Sequence, residues 1–248
     1  MQMNGNTVLV TGGGSGIGEA LAAEFHARGN QVIIAGRRPD ALARVAAAHP
    51  GMATATVDIG DADDIRRFAE AIVAEYPSLN VVLHNAGIMR SEDLRAVPFD
   101  LDAVEATVAT NLLGPIRLHA ALQAHLLAQP RAAVLTVTSG LAFVPLVGTP
   151  TYSATKAALH SWTQSLRFQM RGTGVDVIEI VPPAVATDLV PGHRESPHSM
   201  PLDAFIAETM ALLDEGGHDE ICVRRVDFLR NAEAHGTFAQ VLEALNAS

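Results

Sequence analysis

Short, continuous apolar runs alternate with helical patterns along the whole chain. Thr7–Val10, Gln31–Ala35, Met52–Val57, Asn80–His84, Ala132–Thr138 and Val175–Val181 are rich in β-branched residues, which suits strands buried on both faces. Between them the spacing predicts helices over Gly18–Arg28, Pro39–Ala48, Asp61–Glu75, much of Leu101–Ala128, and Thr151–Met170. Gly29 supplies a left-handed C-cap and Pro39 a first-turn proline. Beyond Pro191 the pattern loosens, leaving a helix near Leu202–Asp214 and a last strand over Glu220–Val226. No linker or repeat interrupts the alternation. It predicts one domain over residues 1–248: an α/β fold with a doubly wound, mostly parallel sheet and helices on both faces.

Composition narrows the class. Of 248 residues, 48% are apolar and 18% charged, too apolar for disorder and enough for a large core. The net charge of −10 argues against a nucleic-acid partner or an anionic membrane surface. A single cysteine, Cys222, rules out an intrachain disulfide and a cysteine-built zinc site, which suits a reducing cytoplasm. The opening MQMNGNTVLVTGG shows no secretory signal, and no apolar run is long enough to span a bilayer.

The chemistry begins after the first strand, at Thr11-Gly12-Gly13-Gly14-Ser15-Gly16-Ile17-Gly18. A glycine loop that follows a strand and opens a helix offers free N–H groups and a helix dipole to a pyrophosphate, and side chains would block that approach. A tight strand–helix turn wants glycine too, so the loop needs company. Asn85-Ala86-Gly87 follows the fourth strand, Asn111 lies in the long helix, and Ser139 lies just past the fifth strand. Tyr152-Ser153-Ala154-Thr155-Lys156 comes 13 positions after Ser139. In this order the motifs, covering residues 7 to about 190, resemble the short-chain dehydrogenase/reductase family, in its short single-domain branch and most like the DltE-like group. The resemblance implies a Rossmann-type fold and an NAD(P)-dependent oxidoreductase that interconverts an alcohol with a ketone or aldehyde.

Tyrosine and lysine one turn apart make physical sense for that reaction. A carbonyl accepting hydride needs a proton at its oxygen, and a nearby ammonium stabilises the phenolate left behind. The expected roles are Tyr152 as acid/base, Ser139 orienting the carbonyl and Lys156 tuning Tyr152 and binding the nicotinamide ribose. Asn111, by resemblance, supports a water relay. The expected cofactor contacts are Gly12, Gly14, Ser15, Gly16, Ile17, Gly18, Asp58, Ile59, Asn85, Ala86, Gly87, Val185 and Thr187, together with Tyr152 and Lys156.

Gly36 stands where an NAD enzyme of this branch carries an acidic residue for the ribose 2′-OH, and Arg37 and Arg38 follow it. A guanidinium there suits a 2′-phosphate, so NADP(H) is the expected preference, with NAD(H) usable. Leu141, Phe143, Val144, Leu146 and Val147 predict an apolar substrate wall, suited to apolar or aryl carbonyls. A segment near 188–215 is expected to cover the substrate.

Histidine spacing gives no metal site: His119 and His125 do not share a helix face, and His193 and His198 sit in the irregular segment. Apolar residues on several faces of the two long helices, among them Leu112, Leu113, Leu118, Leu122, Trp162 and Phe168, predict a homodimer or homotetramer. The alternative is a dinucleotide-binding regulatory protein without turnover, whose mark would be a missing catalytic group.

Overall fold

The computed structural model describes residues 1–190, 192 and 194–247; His193 lies outside them. Among the described residues seven strands form one sheet in the order β3-β2-β1-β4-β5-β6-β7. They are β1 (Thr7–Thr11), β2 (Gln31–Gly36), β3 (Ala53–Thr56), β4 (Leu79–His84), β5 (Ala132–Val137), β6 (Val175–Val181) and β7 (Glu220–Cys222). Every pairing is parallel, so the expected mostly parallel sheet is parallel throughout.

Period-two alternation explains how such continuous apolar runs are used. Val8, Val10, Val32 and Ile34 face one core, shared with α1 (Gly16–Ala27), α2 (Pro39–Ala48) and α7 (Leu202–Glu215). Leu9, Ile33 and Val82 face the other, against α3 (Ala62–Glu75), α5 (Gly114–Ala128) and α6 (Pro150–Gln169). Burying each such side chain contributes roughly 1.5–3 kcal/mol. The turns agree with the sequence: Gly29, at φ +81°, closes α1, and the Asp61 carboxylate caps α3 by accepting from the N–H groups of Asp63 and Asp64.

The long helix departs from expectation. α4 (Leu101–Val108) runs into a π-helical turn at Ala109–Leu113 before α5 begins. Such turns recur at functional sites, and this one carries Asn111 inward, 1% exposed. The last strand stops at Cys222, because Arg224–Val226 turns into a 3-10 helix. Two further helices follow that the pattern did not announce, α8 (Asp227–Arg230) and α9 (Phe238–Asn246).

The leucines expected to drive self-association are mostly spent within the chain. Leu118, Leu122, Leu126 and Leu166 lie in the core, while Leu113 (36%) and Phe168 (66%), and also Leu127 (44%), remain exposed. Among the described residues no helix is long and apolar enough to cross a membrane.

His84 ends β4 fully buried, its Nε2 without a hydrogen-bond partner. Burial, aided by nearby His119, pushes it down to about 3. The folded protein therefore keeps His84 neutral while the unfolded chain takes a proton below about pH 6.5, so stability falls as pH drops from there toward 3. Going from about pH 7 to about pH 4.5 should cost about 2.5 kcal/mol through this residue. His84→Gln should remove that part of the slope in urea melts at the two pH values, and an unchanged slope would refute the assignment.

Candidate active site

The carboxyl ends of the strands open on one cleft of about 1440 Å³. At its first end, β1 passes through the glycine loop into α1. Ser15 is the N-cap, extended at φ −166°, and its hydroxyl does not cap the helix. The first-turn N–H groups therefore have no side-chain acceptor, which is the arrangement an anion requires. Gly12, Gly14, Ser15, Gly16 and Ile17 line the cleft. Gly16, at φ +57°, leaves room beside Thr187, where a Cβ would sit 3.4 Å from that side chain. The loop thus fits a dinucleotide phosphate.

Gly18 does not line the cleft. A Cβ there would lie 2.3 Å from Asn85 Nδ2 and 2.5 Å from the Gly12 carbonyl oxygen, so this glycine serves packing. Asn85 is correspondingly a clamp: its Nδ2 donates to the carbonyls of Thr11 (3.0 Å) and Gly12 (3.3 Å). The Thr11 hydroxyl accepts from the backbone N–H groups of Asn85 and Ala86. Asn85, Ala86 and Gly87 nevertheless border the cleft, as do Asp58, Ile59, Val185 and Thr187. Asp61 is the helix cap, so Asp58 is not needed for that purpose; its Oδ1 accepts from Gly60 N–H at 2.9 Å.

Arg37 and Arg38 follow Gly36 on the rim. Among the described residues Arg37 makes no hydrogen bond or ion pair, while Arg38 Nη2 reaches Ser15 Oγ at 3.4 Å. Arg44 joins them, donating to the Gly14 carbonyl (3.0 Å) and to Glu19 (2.7 Å). Sequence reading missed Arg44, which reaches the loop from one turn into α2. Basic charge at the glycine loop therefore arrives from the segment after β2.

At the other end, Ser139 follows β5 and caps a 3-10 turn at Gly140–Ala142, accepting from Leu141 N–H at 3.1 Å. Tyr152 and Lys156 stand one turn apart on α6, both buried and both lining the cleft. Lys156 is the only lysine in the chain. Its Nζ donates to the Val137 carbonyl at 2.8 Å and lies 5.5 Å from the Tyr152 ring centroid. Burial pushes the Tyr152 phenol up to about 12, against the pull of its hydrogen bond with Ser139. Burial also pushes Lys156 down to about 8, opposed by the Glu179 carboxylate. The expectation that Lys156 draws Tyr152 toward neutrality is not met: desolvation of the phenol prevails, and the ammonium points an N–H at Val137.

Asn111 sits behind the cleft wall. Its Oδ1 accepts from Ile88 N–H and its Nδ2 donates to the Ile88 carbonyl, both at 2.8 Å. It pins the loop after β4 to the π-helical turn. A Cβ on Gly87 would lie 3.4 Å from Asn111 Oδ1 and 3.8 Å from Lys156 Nζ, so that glycine leaves the space between them.

The apolar wall is built differently from the sequence expectation. Leu141 and Leu146 do line the cleft. Val144 points into the core, Val147 is 62% exposed, and Phe143 packs edge-on against His160. The expected cover is likewise divided. Asp188, Leu189, His198 and Ser199 line the cleft, but α7 packs on α1, with Phe205 fully buried. The opposite wall comes from the unforeseen C-terminal helices, through Phe228, Leu229, Val241 and Leu245. Sequence reading also missed His160, Glu179 and Glu220, whose ligand-capable atoms lie within 4.8 Å of one another. They come from three separate elements, so no spacing rule could join them.

The sequence profile of the short chain dehydrogenase family matches residues 6–197. The chain is 38% identical over 250 residues to the uncharacterized oxidoreductase DltE of Bacillus subtilis, covering 99% of this chain and 98% of that protein. It is 32% identical over 185 residues to the NADPH-dependent 1-acyldihydroxyacetone phosphate reductase of Schizosaccharomyces pombe, covering 73% and 60% of the two chains. Among solved structures, a short chain dehydrogenase from Burkholderia cenocepacia in complex with NADP superposes with a TM-score of 0.82. It is 25% identical, and the alignment covers 98% of each chain.

The glycine geometry separates packing from binding. Gly18→Ala drives its Cβ into backbone, so it should cost about 1–3 kcal/mol of stability. In Gly14→Ala the new Cβ would meet Ala41 Cβ at 3.3 Å, and the loss should stay below about 1 kcal/mol. Thermal melts of the two variants check this, and equal losses would contradict it.

Proposed function

The chain belongs to the short-chain dehydrogenase family of oxidoreductases, and from that premise we propose that it interconverts a ketone or aldehyde with its alcohol, using NADP(H) in preference to NAD(H). The observation that carries this reading is convergence. Ser139, Tyr152 and Lys156 face the same cleft as an uncapped helix N-terminus on a glycine loop. When bound, the nicotinamide supplies or accepts the hydride. Gly12, Gly14, Gly16 and Ile17 would hold its phosphates, Asp58 and Ile59 its adenine, and Val185 and Thr187 its carboxamide end.

Tyr152 gives the proton to the carbonyl oxygen during reduction. A phenol held well above neutral pH is fully protonated, the state a donor needs. The charge left on the phenolate is met by the Lys156 ammonium and the Ser139 hydroxyl, which also orients the carbonyl. Asn111 Oδ1 keeps a lone pair for a water that returns protons to Lys156.

The substrate end favours apolar or aryl groups: Leu141, Leu146, Phe228, Val241 and Leu245 offer hydrophobic area there. We assign the protein to the cytoplasm as a homodimer or homotetramer, with no nucleic-acid or membrane partner. The net charge of −10 and exposed Phe168 and Leu127 support this.

A panel of neutral aryl ketones and keto acids, followed through NADPH oxidation, tests the reaction. Tyr152→Phe should lower kcat by about 10²-fold or more while cofactor affinity stays within about twofold. Retention of activity within about tenfold would remove Tyr152 as the acid.

Cofactor preference rests on Arg37. A charge-assisted phosphate contact is worth roughly 1.5–3 kcal/mol, about 10- to 150-fold in affinity. Arg37→Ala should weaken NADPH binding within that range and spare NADH. Equal loss for both cofactors would show that this arginine does not read the 2′-phosphate.

A further inference from the structure

A buried polar group lies directly behind the catalytic stripe of α6, and the mechanism above does not use it. Glu179, on β6, is 0% exposed. Thr138 Oγ1 donates to its Oε1 at 2.6 Å, and His160 Nδ1 lies 2.9 Å from Oε1 and 2.8 Å from Oε2. A carboxylate only accepts, so the ring proton sits on Nδ1. All the contacts made to Glu179 by side chains come from donors, the environment an ionised carboxylate needs.

The position of this group relative to Lys156 is what gives it a role. His160 follows Lys156 by one helical turn, so Tyr152, Lys156 and His160 share a face of α6. On the strand side, Lys156 Nζ donates to the carbonyl of Val137, and the next residue, Thr138, donates to Glu179. The ammonium and the carboxylate thus flank a single peptide unit at the end of β5. A lysine buried to 4% exposure needs a nearby anion if it is to stay charged.

We propose that Glu179 is the counter-charge of Lys156, a positioning residue that keeps the ammonium protonated while Tyr152 exchanges its proton with substrate. The proposal rests on the activity read above and adds to it a residue outside the cleft. The effect on Lys156 runs in the direction required: burial lowers its proton affinity and Glu179 raises it.

The other charged groups facing Glu179 are few. α6 contributes Lys156 and His160, and β7 contributes Glu220 and Cys222. Arg230, on α8, binds Glu220 through two nitrogens at 2.7 and 3.2 Å and lies over the Phe143 ring. Arg167, on α6, acts on Glu220 from farther along that helix. Glu220 is therefore neutralised by its own arginine. Glu179, hydrogen-bonded by a hydroxyl and an imidazole and also acting on Arg230, is the anion that raises the proton affinity of Lys156. Burial pushes the neighbouring Cys222 thiol up to about 12, so it adds no charge.

The sole lysine makes the test direct. In protein labelled with ¹⁵N-lysine, one side-chain Nζ resonance reports the protonation of Lys156. Glu179→Gln should lower its titration midpoint by about one pH unit, a tenfold change in the protonation equilibrium. Glu179→Asp, which keeps the charge, should restore at least half of that shift. The double variant Glu179→Met with His160→Leu replaces the buried pair by apolar volume, a change folded proteins often accept, and should lower the midpoint as Glu179→Gln does.

The alkaline limb of ketone reduction should move to lower pH by the same amount, because loss of the negative charge releases the Tyr152–Lys156 proton earlier. A purely structural Glu179 would change stability and leave the midpoint in place. A midpoint within about 0.3 unit of wild type in either folded charge-removing variant would overturn the proposal. The titration needs no turnover, so it decides the role of Glu179 even where no carbonyl is reduced, a result that would overturn the activity reading alone.

Discussion

The hydrogen bond from the Lys156 ammonium to the Val137 carbonyl is the constraint around which the reaction end is built. Parallel strands end with carbonyl groups to which no neighbouring strand donates, and here one of them accepts from a buried cation. An ammonium removed from water without partners costs several kcal/mol, so α6 cannot slide or rotate against β5 without breaking a costly contact. That contact fixes Tyr152 one turn earlier on the same face. It also fixes Ser139, two residues beyond Val137, opposite it. Thr136 and Thr163, whose hydroxyls meet at 3.0 Å, lock the same helix to the same strand farther down. The placement of Ser139, Tyr152 and Lys156 is thus a consequence of how one helix docks on one strand.

The cofactor end depends on a different lock. The Thr11 hydroxyl and the Asn85 amide tie the ends of β1 and β4 together, beneath the glycine loop. Gly12 and Gly18 are required there because any Cβ would strike Asn85 or backbone. The loop's glycines therefore divide into those that let protein pack and those, Gly14 and Gly16, that leave room at the cleft. Both demands fall on one short segment, which is why it reads so plainly in the sequence.

Legibility followed periodicity. Strands β1 to β6, the helices between them and the Tyr152–Lys156 pair all follow from local spacing, and local spacing survives folding. The π-helical turn at Asn111 was hidden because a one-residue excess leaves apolar spacing nearly intact. The substrate wall was misread between Ser139 and Tyr152 because a 3-10 turn and a loop carry no period. Val144 and Val147 are identical in type, yet one faces the core and the other solvent. The leucines of α5 read ambiguously for a related reason: Leu118, Leu122 and Leu126 pack within the chain, which periodicity cannot tell from packing against a second copy. Glu179, His160 and Glu220 were out of reach for a third reason, since only the fold brings β6, α6 and β7 together.

The two ends of the cleft also differ in how firmly they are made. Around the glycine loop, Tyr152 and Lys156, the cleft is backed by the two main cores through residues such as Leu42, Val57, Val137 and Val185. The far wall comes from α9, which has no buried residue of its own. It leans on Val144, Val181, Val226 and Leu229 through Phe238, Val241, Leu242 and Leu245. Asn246 adds two ties to the loop before α6, accepting from Val147 N–H at 2.7 Å and donating to the Pro145 carbonyl at 3.2 Å. Segments with few buried contacts open at lower free energy than the core. Tyr152 and Lys156 are therefore held by a helix docked on the sheet, while the far wall of the cleft is carried by a lightly anchored terminal helix. A change in α9 would therefore reshape the far wall of the cleft at a distance from the Lys156–Val137 contact.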